Sequence, residues 1–511
     1  MSGTVKMQLT SGRRASLVRR AFFPSSNNLS QRVVHGAAFT FLGIAIRSGV
    51  TIGSMAVLAR LLTPADFGHI AMATLVTELA ALFSNFGFGS ILIQRARLSR
   101  LQIDTMFWAA LLLGVMLSVV VFGLSFVSQL VFDNALVGEL LRALCIVFIF
   151  EELTVVPRSL LARLMLFRAD FAVQAIMILL RAGVSVLFAM QGAGVWSLVA
   201  GSIAGAVAQS VLYLIVGGYW PRLRFNAAFL RETWHTNSSY FGNGLLFYLN
   251  SNLDLMLIGR ALGASSLGIY QNARSLTQEI NTRMAQPLQR VLFPAFAQVQ
   301  NEPERFRDGI ARSGRLLTFA LAPVGFGLAA VADEIVPLLY GDQWIEMVPV
   351  LQVFALGAGL TIAASINASI FNAKNRVGLA FKLYLANVAI NVILIVVASR
   401  WGMMGIAYAK LALGLIGLVI LRVAMGLVQM DSRDLWRMVA PPCAAAALML
   451  AGITLVRPLV YQVLDPTALR LAALVIFGML SYGVFVLLGA RTHVNDARDV
   501  IAMLRGKRGK R

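Results

Sequence analysis

Gln271, Arg274, Gln278 and Asn281 stand at i, i+3, i+7 and i+10, so a helix over this stretch presents them on one face. Ser275, Glu279, Thr282, Arg283 and Gln286 run beside them. Apolar segments lie on both sides of this stretch, yet a helix so polar cannot face acyl chains. It must line a wet cavity. A guanidinium fork donates paired hydrogen bonds to phosphate oxygens, and the excess of cations over acids favours an anionic ligand such as a pyrophosphate. Glu279 and Arg283 also stand at i, i+4, where they can neutralise each other.

Other polar residues interrupt apolar stretches. Arg47 and Arg181 lie near the middle of theirs, and Asn243, Asn250, Asn252 and Asp254 share another. Asn367 and Asn372, Asn387 and Asn391, and Lys410 follow. A charge at mid-bilayer is costly, so it faces protein or water and marks either a functional group or an ion pair. Arg47 and Arg274 head the expected substrate-binding set, with Arg181, Arg283, Gln278, Asn281 and Asn250. Glu78 and Asp254 are the candidates for coupling to an ion. Plainer roles compete with these. Arg181 can pair with Glu151 or Glu152, and asparagines join helices by hydrogen bonds. Lys410 and Arg142 can snorkel to the outer surface. Arg60 and Arg260 read as interface anchors, and Trp220, Trp344, Trp401 and Trp436 as members of aromatic belts. His35, His69, His235 and His493 are unclustered, while Cys145 and Cys443 occupy distant apolar segments. That pattern predicts no metal site, no disulfide and no cofactor. HExxH, CxxC, Walker A and GxSxG sequences are all absent, so neither an enzyme nor an ATP-driven machine is expected.

The elements that must position these groups are membrane helices. The 511-residue chain is 58% hydrophobic and 13% charged, with a mean hydropathy of +0.77. Its net charge of +21 is arranged by topology and does not require a nucleic-acid partner. Lys6, Arg13, Arg14, Arg19, Arg20 and Arg32 fill the N-terminal tail, whereas the next gap holds only Arg60. Arg95, Arg97 and Arg100 come next, then a gap with Asp133 and Glu139. The alternation runs to Arg505, Lys507, Arg508, Lys510 and Arg511, and places both termini in the cytoplasm. At about 20 apolar residues per crossing, spans are expected near 34–59, 66–93, 104–131, 136–160, 170–190, 193–217, 233–258, 265–295, 312–340, 346–372, 376–399, 402–427, 437–456 and 468–489. The expected fold is an all-α polytopic membrane protein of fourteen spans. Residues 1–33 form a basic cytoplasmic tail with no cleavable signal core. A six-helix bundle (34–217), a cytoplasmic linker (218–232) and a second six-helix bundle (233–427) follow. Two additional helices (428–490) and a basic tail (491–511) complete the chain.

The bundles look like copies. Arg60, Gly68 and Ala73 match Arg260, Gly268 and Ala273 at a constant spacing of 200, and Arg163 and Gly194 match Lys374 and Gly405 at 211. Six spans per copy puts both copies the same way up, related by a pseudo-two-fold along the membrane normal. On the same spacing Thr74 and Glu78 answer Arg274 and Gln278. The expected site is therefore a cationic cavity between the copies, used by alternating access.

Three regions carry a family likeness. Asn250-Ser-Asn-Leu-Asp254-Leu-Met-Leu-Ile258-Gly259-Arg-Ala-Leu-Gly263, continuing to Leu267-Gly268-Ile-Tyr270, resembles the mid-chain motif of Wzx-type bacterial polysaccharide flippases. These belong to the multidrug/oligosaccharidyl-lipid/polysaccharide exporter superfamily. Ala59-Arg60-Leu-Leu-Thr-Pro64-Ala-Asp66-Phe67-Gly68 looks like the same family's early signature, and Arg290-Val-Leu-Phe-Pro294 with Glu304-Arg305-Phe306 resembles its colanic-acid-exporter branch. The likeness implies a flippase in the bacterial inner membrane that moves undecaprenyl-diphosphate-linked oligosaccharides to the periplasmic leaflet. Membrane lipids, a polysaccharide polymerase and a chain-length regulator would be its neighbours. Arginines would then replace the hydration of the diphosphate, and Asn and Gln would hold sugar hydroxyls. Two other functions compete. A drug or cation antiporter of the same superfamily calls for an acidic, aromatic site. A polytopic glycosyltransferase or polymerase calls for a long outer loop, which this sequence lacks.

Overall fold

Short side chains that cap and break helices set the architecture. Thr63-Pro64-Ala65-Asp66, inside the early signature, is an N-cap. The Thr63 amide and hydroxyl both donate to Asp66 Oδ2, at 2.9 and 2.7 Å, while the Asp66 amide donates back to Thr63 Oγ at 3.3 Å. Pro64 takes the first helical position, where no backbone donor is needed. Ser99 and Gln102 form a reciprocal capping box at the next long helix, and Asp431 with Asp434 does the same near the C-terminus.

The computed structural model describes residues 49–84, 88–95, 98–278, 302–489, 492–496 and 498–499, and the backbone only at 232–243. The described elements are helices: α1 (Gly49–Leu61), α2 (Pro64–Ser84), α3 (Phe88–Gln94), α4 (Arg100–Phe132), α5 (Ala135–Leu144), α6 (Ile146–Arg163), α7 (Phe167–Met190), α8 (Trp196–Gly217) and α9 (Ala227–Ala261). They continue as α10 (263–278), α11 (Pro303–Ala330), α12 (Ala332–Tyr340), α13 (Met347–Thr361), α14 (Asn367–Ala373), α15 (Val377–Ala398), α16 (Gly402–Gly426), α17 (Ser432–Val463) and α18 (Thr467–Gly489). No strand occurs among the described residues. Nine helical stretches among them are long and apolar enough to cross a membrane, one of which joins α15 to α16.

Three expected spans are broken, each for a local reason. Residues 136–160 divide at Cys145 into α5 and α6. The stretch 312–340 ends as α11 at Ala330, where the Arg457 guanidinium reaches the Ala330 carbonyl and a separate short helix begins. Residues 346–372 tighten into a 3₁₀ turn over Ile362–Ile366. There the Thr361 hydroxyl donates to the Gly357 carbonyl at 2.7 Å and competes with the helix ladder.

The chain divides into two compact units, Met1–Asn252 and Leu253–Arg511. In the first, α7 packs along α8. A methyl group at Gly201 would stand 2.7 Å from the Arg181 carbonyl, and one at Gly205 3.1 Å from Arg181 Cβ. Glycines four residues apart thus let these helices touch, as membrane helices with no hydrophobic drive between them require. Leu112, Val119, Phe126 and Leu130 of α4 are exposed along one stripe suited to lipid. The segment leaving α8 is strapped onto the start of α4. The Tyr219 hydroxyl donates to the fully buried Asp104, Trp108 Nε1 donates to the Arg222 carbonyl at 2.8 Å, and the Asn226 amide donates to Thr105 Oγ at 3.0 Å.

In the second unit α11 packs against α13 and α17. A methyl at Gly325 would lie 2.6 Å from the Ala355 carbonyl oxygen and the Gly359 amide. One core joins α11, α13, α14, α16, α17 and α18, with Phe306, Leu317, Ile366, Met425 and Leu474 fully buried. Trp344 is fully buried beside Tyr340 and does not belong to an interfacial belt. Trp220, Trp401 and Trp436 are exposed.

Left-handed backbone residues recur at nearly constant spacings along the chain. Asp133 and Gly341 share positive φ at a spacing of 208, Met165 and Asn375 at 210, Gly192 and Gly402 at 210, and Gly218 and Gln429 at 211. The helix break between α1 and α2 recurs 200 residues later, with Leu62 bonded to the Leu58 carbonyl and Leu262 to the Ile258 carbonyl, both at 2.8 Å. Around Met165 and Asn375 the caps align at 210, one residue short of the Arg163–Lys374 match. Side chains at a helix end drift more readily than the turn itself.

Candidate functional site

Asp254 lies two turns before the end of α9 and is completely buried. The Tyr270 hydroxyl donates to Asp254 Oδ2 at 2.9 Å. Arg274 Nη1 lies 3.3 Å from both carboxylate oxygens, and Lys410 Nζ lies 3.3 Å from Oδ1. Tyr270 and Arg274 are one turn apart on α10, so a single helical face delivers both. The Tyr270 ring is held edge-on by Phe354 of α13, with centroids 5.0 Å apart.

One carboxylate faces two cations, which leaves the group positively charged. Such a cluster tolerates burial only because its members satisfy one another. It is also polar in orientation: the Asp254 side chain has no exposed surface, whereas Arg274 keeps 13% and Lys410 20% of theirs. A ligand arriving from outside meets cations first. An anion fits.

Among the described residues the first unit carries no such group. At the spacing of 200, Ser54, Ile70 and Thr74 stand for Asp254, Tyr270 and Arg274, and at 210 Ala200 stands for Lys410. The Ser54 and Thr74 hydroxyls bond to their own helices, at 3.1 and 2.7 Å. The first unit has a different charged group. Glu152 of α6 is buried, and its Oε1 accepts from the Ser84 hydroxyl at the end of α2. Neighbouring Glu151 is exposed and lies within electrostatic reach of Arg181 on α7. Of the two carboxylates that the sequence offers Arg181, Glu151 is the one that meets it.

The expected residues thus separate. Arg274 and Asp254 come together. Arg181 belongs to the first unit's group, Glu78 is exposed on α2, Asn250 is half-buried on α9, and Gln278 is exposed at the last described turn of α10. Arg47, Arg283 and Asn281 lie outside the described residues. Lys410 overturns its reading as an outer-surface residue, because it turns inward to Asp254. Tyr270 was missed although it stands in the mid-chain motif, four residues before Arg274. Its spacing was the available signal. Nothing in the periodicity of α16 pointed Lys410 toward a residue more than 150 positions earlier. Among the described residues no cluster of three or more His, Cys, Asp or Glu could hold a metal ion. Cys145 and Cys443 are free thiols.

Comparison with known proteins places the sequence in a family. The family model described as "Polysaccharide biosynthesis protein" matches residues 57–349, a stretch that holds α2–α12 with Asp254, Tyr270 and Arg274. The lipopolysaccharide biosynthesis protein WzxC of Escherichia coli (strain K12) is 26% identical over 77% of this chain and 80% of its own length. The succinoglycan biosynthesis transport protein ExoT of Rhizobium meliloti (strain 1021) is 28% identical over 62% of this chain, which spans 64% of that relative. Among solved structures, the lipid II flippase MurJ in an inward closed conformation superposes with a TM-score of 0.70 at 13% identity, covering 90% of this chain and 100% of that one. That likeness establishes a shared fold. Apolar helices of spanning length and these membrane relatives make the chain a multi-pass membrane protein, and its named relatives act in building polysaccharides. The chain belongs to the polysaccharide biosynthesis protein family.

Proposed function

We propose that this protein is a flippase of the bacterial inner membrane. It moves undecaprenyl-diphosphate-linked oligosaccharide repeat units from the cytoplasmic to the periplasmic leaflet, for exopolysaccharide or lipopolysaccharide synthesis. In this reading fourteen spans leave both termini in the cytoplasm, and transport proceeds by alternating access through a cationic passage. A polymerase and a chain-length regulator receive the product.

The observation that supports this best is the cluster around Asp254. In the empty state the carboxylate holds Arg274 and Lys410 against each other's repulsion. A diphosphate reaching their exposed edges offers more negative charge and more acceptor oxygens than one carboxylate, and it takes up the guanidinium fork bidentately. Asp254 then keeps Tyr270 and one cation. Because the carboxylate competes with the ligand, binding stays weak enough for release on the far side. Arg47, Arg181, Arg283, Gln278, Asn281 and Asn250 join it as further contacts, and Glu78 and Asp254 answer to the coupled ion.

A strain lacking the protein should accumulate lipid-linked repeat units on the inner leaflet and lose surface polysaccharide. Wild-type protein should restore both, and Arg274→Ala should restore less than about a tenth at normal protein levels, as expected for losing a charged contact worth more than about 1.4 kcal/mol. Repeat units reaching the periplasmic leaflet normally in the deletion strain would overturn the reading.

A further inference from the structure

We propose that Glu152, with Ser84, forms a proton-binding site in the first unit, separate from the cationic cluster of the second. Glu152 is only 2% exposed. Its Oε1 takes the Ser84 hydroxyl, while its Oε2 is buried with no hydrogen-bond partner. The approach of α6 to α4 makes this pocket tight: a methyl at Gly114 would meet Glu152 Cβ and Cγ at 3.0 Å and the Phe148 carbonyl oxygen at 2.9 Å. Among the described residues no cation bonds to this carboxyl group. Among the described residues the charged group that acts on it is Glu151, one residue away on α6, while Arg181 on α7 acts on Glu151. Gly114, Ser118 and Val121 supply no charge from the α4 face, and α8 carries no charged residue.

A buried carboxylate with one hydroxyl donor and an acidic neighbour is costly as an anion, and a proton removes most of that cost. Asp254 meets the opposite surroundings, with two cations and a phenol in direct contact. The two buried acids therefore differ in kind: Asp254 is engaged by cations, and Glu152 takes up and gives back a proton. Glu151 is exposed and within electrostatic reach, so it is the natural donor and acceptor for that proton. The duplication agrees, because spacings of 208 to 210 carry Glu152 onto Leu360, Thr361 or Ile362, none of which ionises. Each copy has kept a different charged device.

The inference goes beyond the proposed flippase and needs no transported substrate for its test. Infrared difference spectra of the purified full-length protein in lipid should show the C=O band of a protonated carboxyl group at neutral pH. That band should disappear in Glu152→Gln, persist in Asp254→Asn, and shift in Ser84→Ala, which removes its hydrogen-bond partner. Unchanged spectra in a folded Glu152→Gln protein would overturn the proposal. So would a band that sodium ions, rather than protons, titrate away. If Glu152→Gln fails to fold, Glu152→Asp serves in its place, and a band that does not move in it has the same meaning. A normal band in a protein that fails the leaflet assay would sink the flippase reading alone.

Discussion

At the scale of single residues, the second unit's charge balance makes an asymmetric prediction. Removing Asp254 leaves two cations facing each other, whereas removing Lys410 leaves Asp254 still held by Arg274 and Tyr270. Asp254→Asn should therefore cost about 3–5 kcal/mol, the usual result of stranding a buried charge, and Lys410→Met distinctly less. The double variant should recover part of the loss. Thermal unfolding in detergent reads all three, and equal losses for the two single variants would count against the shared-carboxylate description. Arg274 and Asp254 were legible in the sequence because charges inside apolar stretches stand out. Their pairing was not, since the expected gap between the two spans did not say which faces of α9 and α10 meet across it. Lys410 looked like a surface lysine because its own helix gave it no neighbour.

At the scale of elements, the structure gives the early signature a physical meaning. Thr63, Pro64 and Asp66 are a helix cap, so Asp66→Ala should cost about 1 kcal/mol, measurable as a lower midpoint of unfolding with little change in transport. Gly325 holds α11 against α13 with no room for a side chain. Gly325→Val should cost more, about 1–3 kcal/mol as an overpacked contact, and should reduce the yield of folded protein. Eight of the expected spans lie within or nearly coincide with single helices, among them 170–190 with α7 and 376–399 with α15. Long apolar runs left little choice. The breaks at Cys145, Val331 and Ile362 escaped notice because each depends on a carbonyl partner or a back-bonded hydroxyl, and hydropathy does not respond to either. The expected duplication rests on a few matched residues, and positive-φ positions recurring at spacings of 208 to 211 agree with it.

At the scale of the whole molecule, the second unit binds its own tail. Arg315 Nε meets Asp496 at 2.6 Å, Arg312 reaches Asp499 at 3.2 Å, and His493 Nε2 lies 3.2 Å from the Met438 carbonyl oxygen. Burial lowers the His493 pKa from its ordinary 6.5, with Arg315 adding to the effect, while the Met438 carbonyl and Asp496 oppose it. The native state thus prefers neutral imidazole, and the undocked tail binds protons more readily. Docking is strongest above pH 6.5 and weakens as pH falls toward the lowered native value. Hydrogen exchange at residues 492–499 should accelerate on acidification, and His493→Gln should flatten that response. The strap over residues 219–226 has a practical consequence for engineering. A Pro-bearing polar segment between apolar runs invites insertion of a reporter or protease site, as though it were slack. Because Asp104, Thr105 and Trp108 hold it down, cargo placed there would pry open the base of the first unit, and the resulting signal would track unravelling instead of transport.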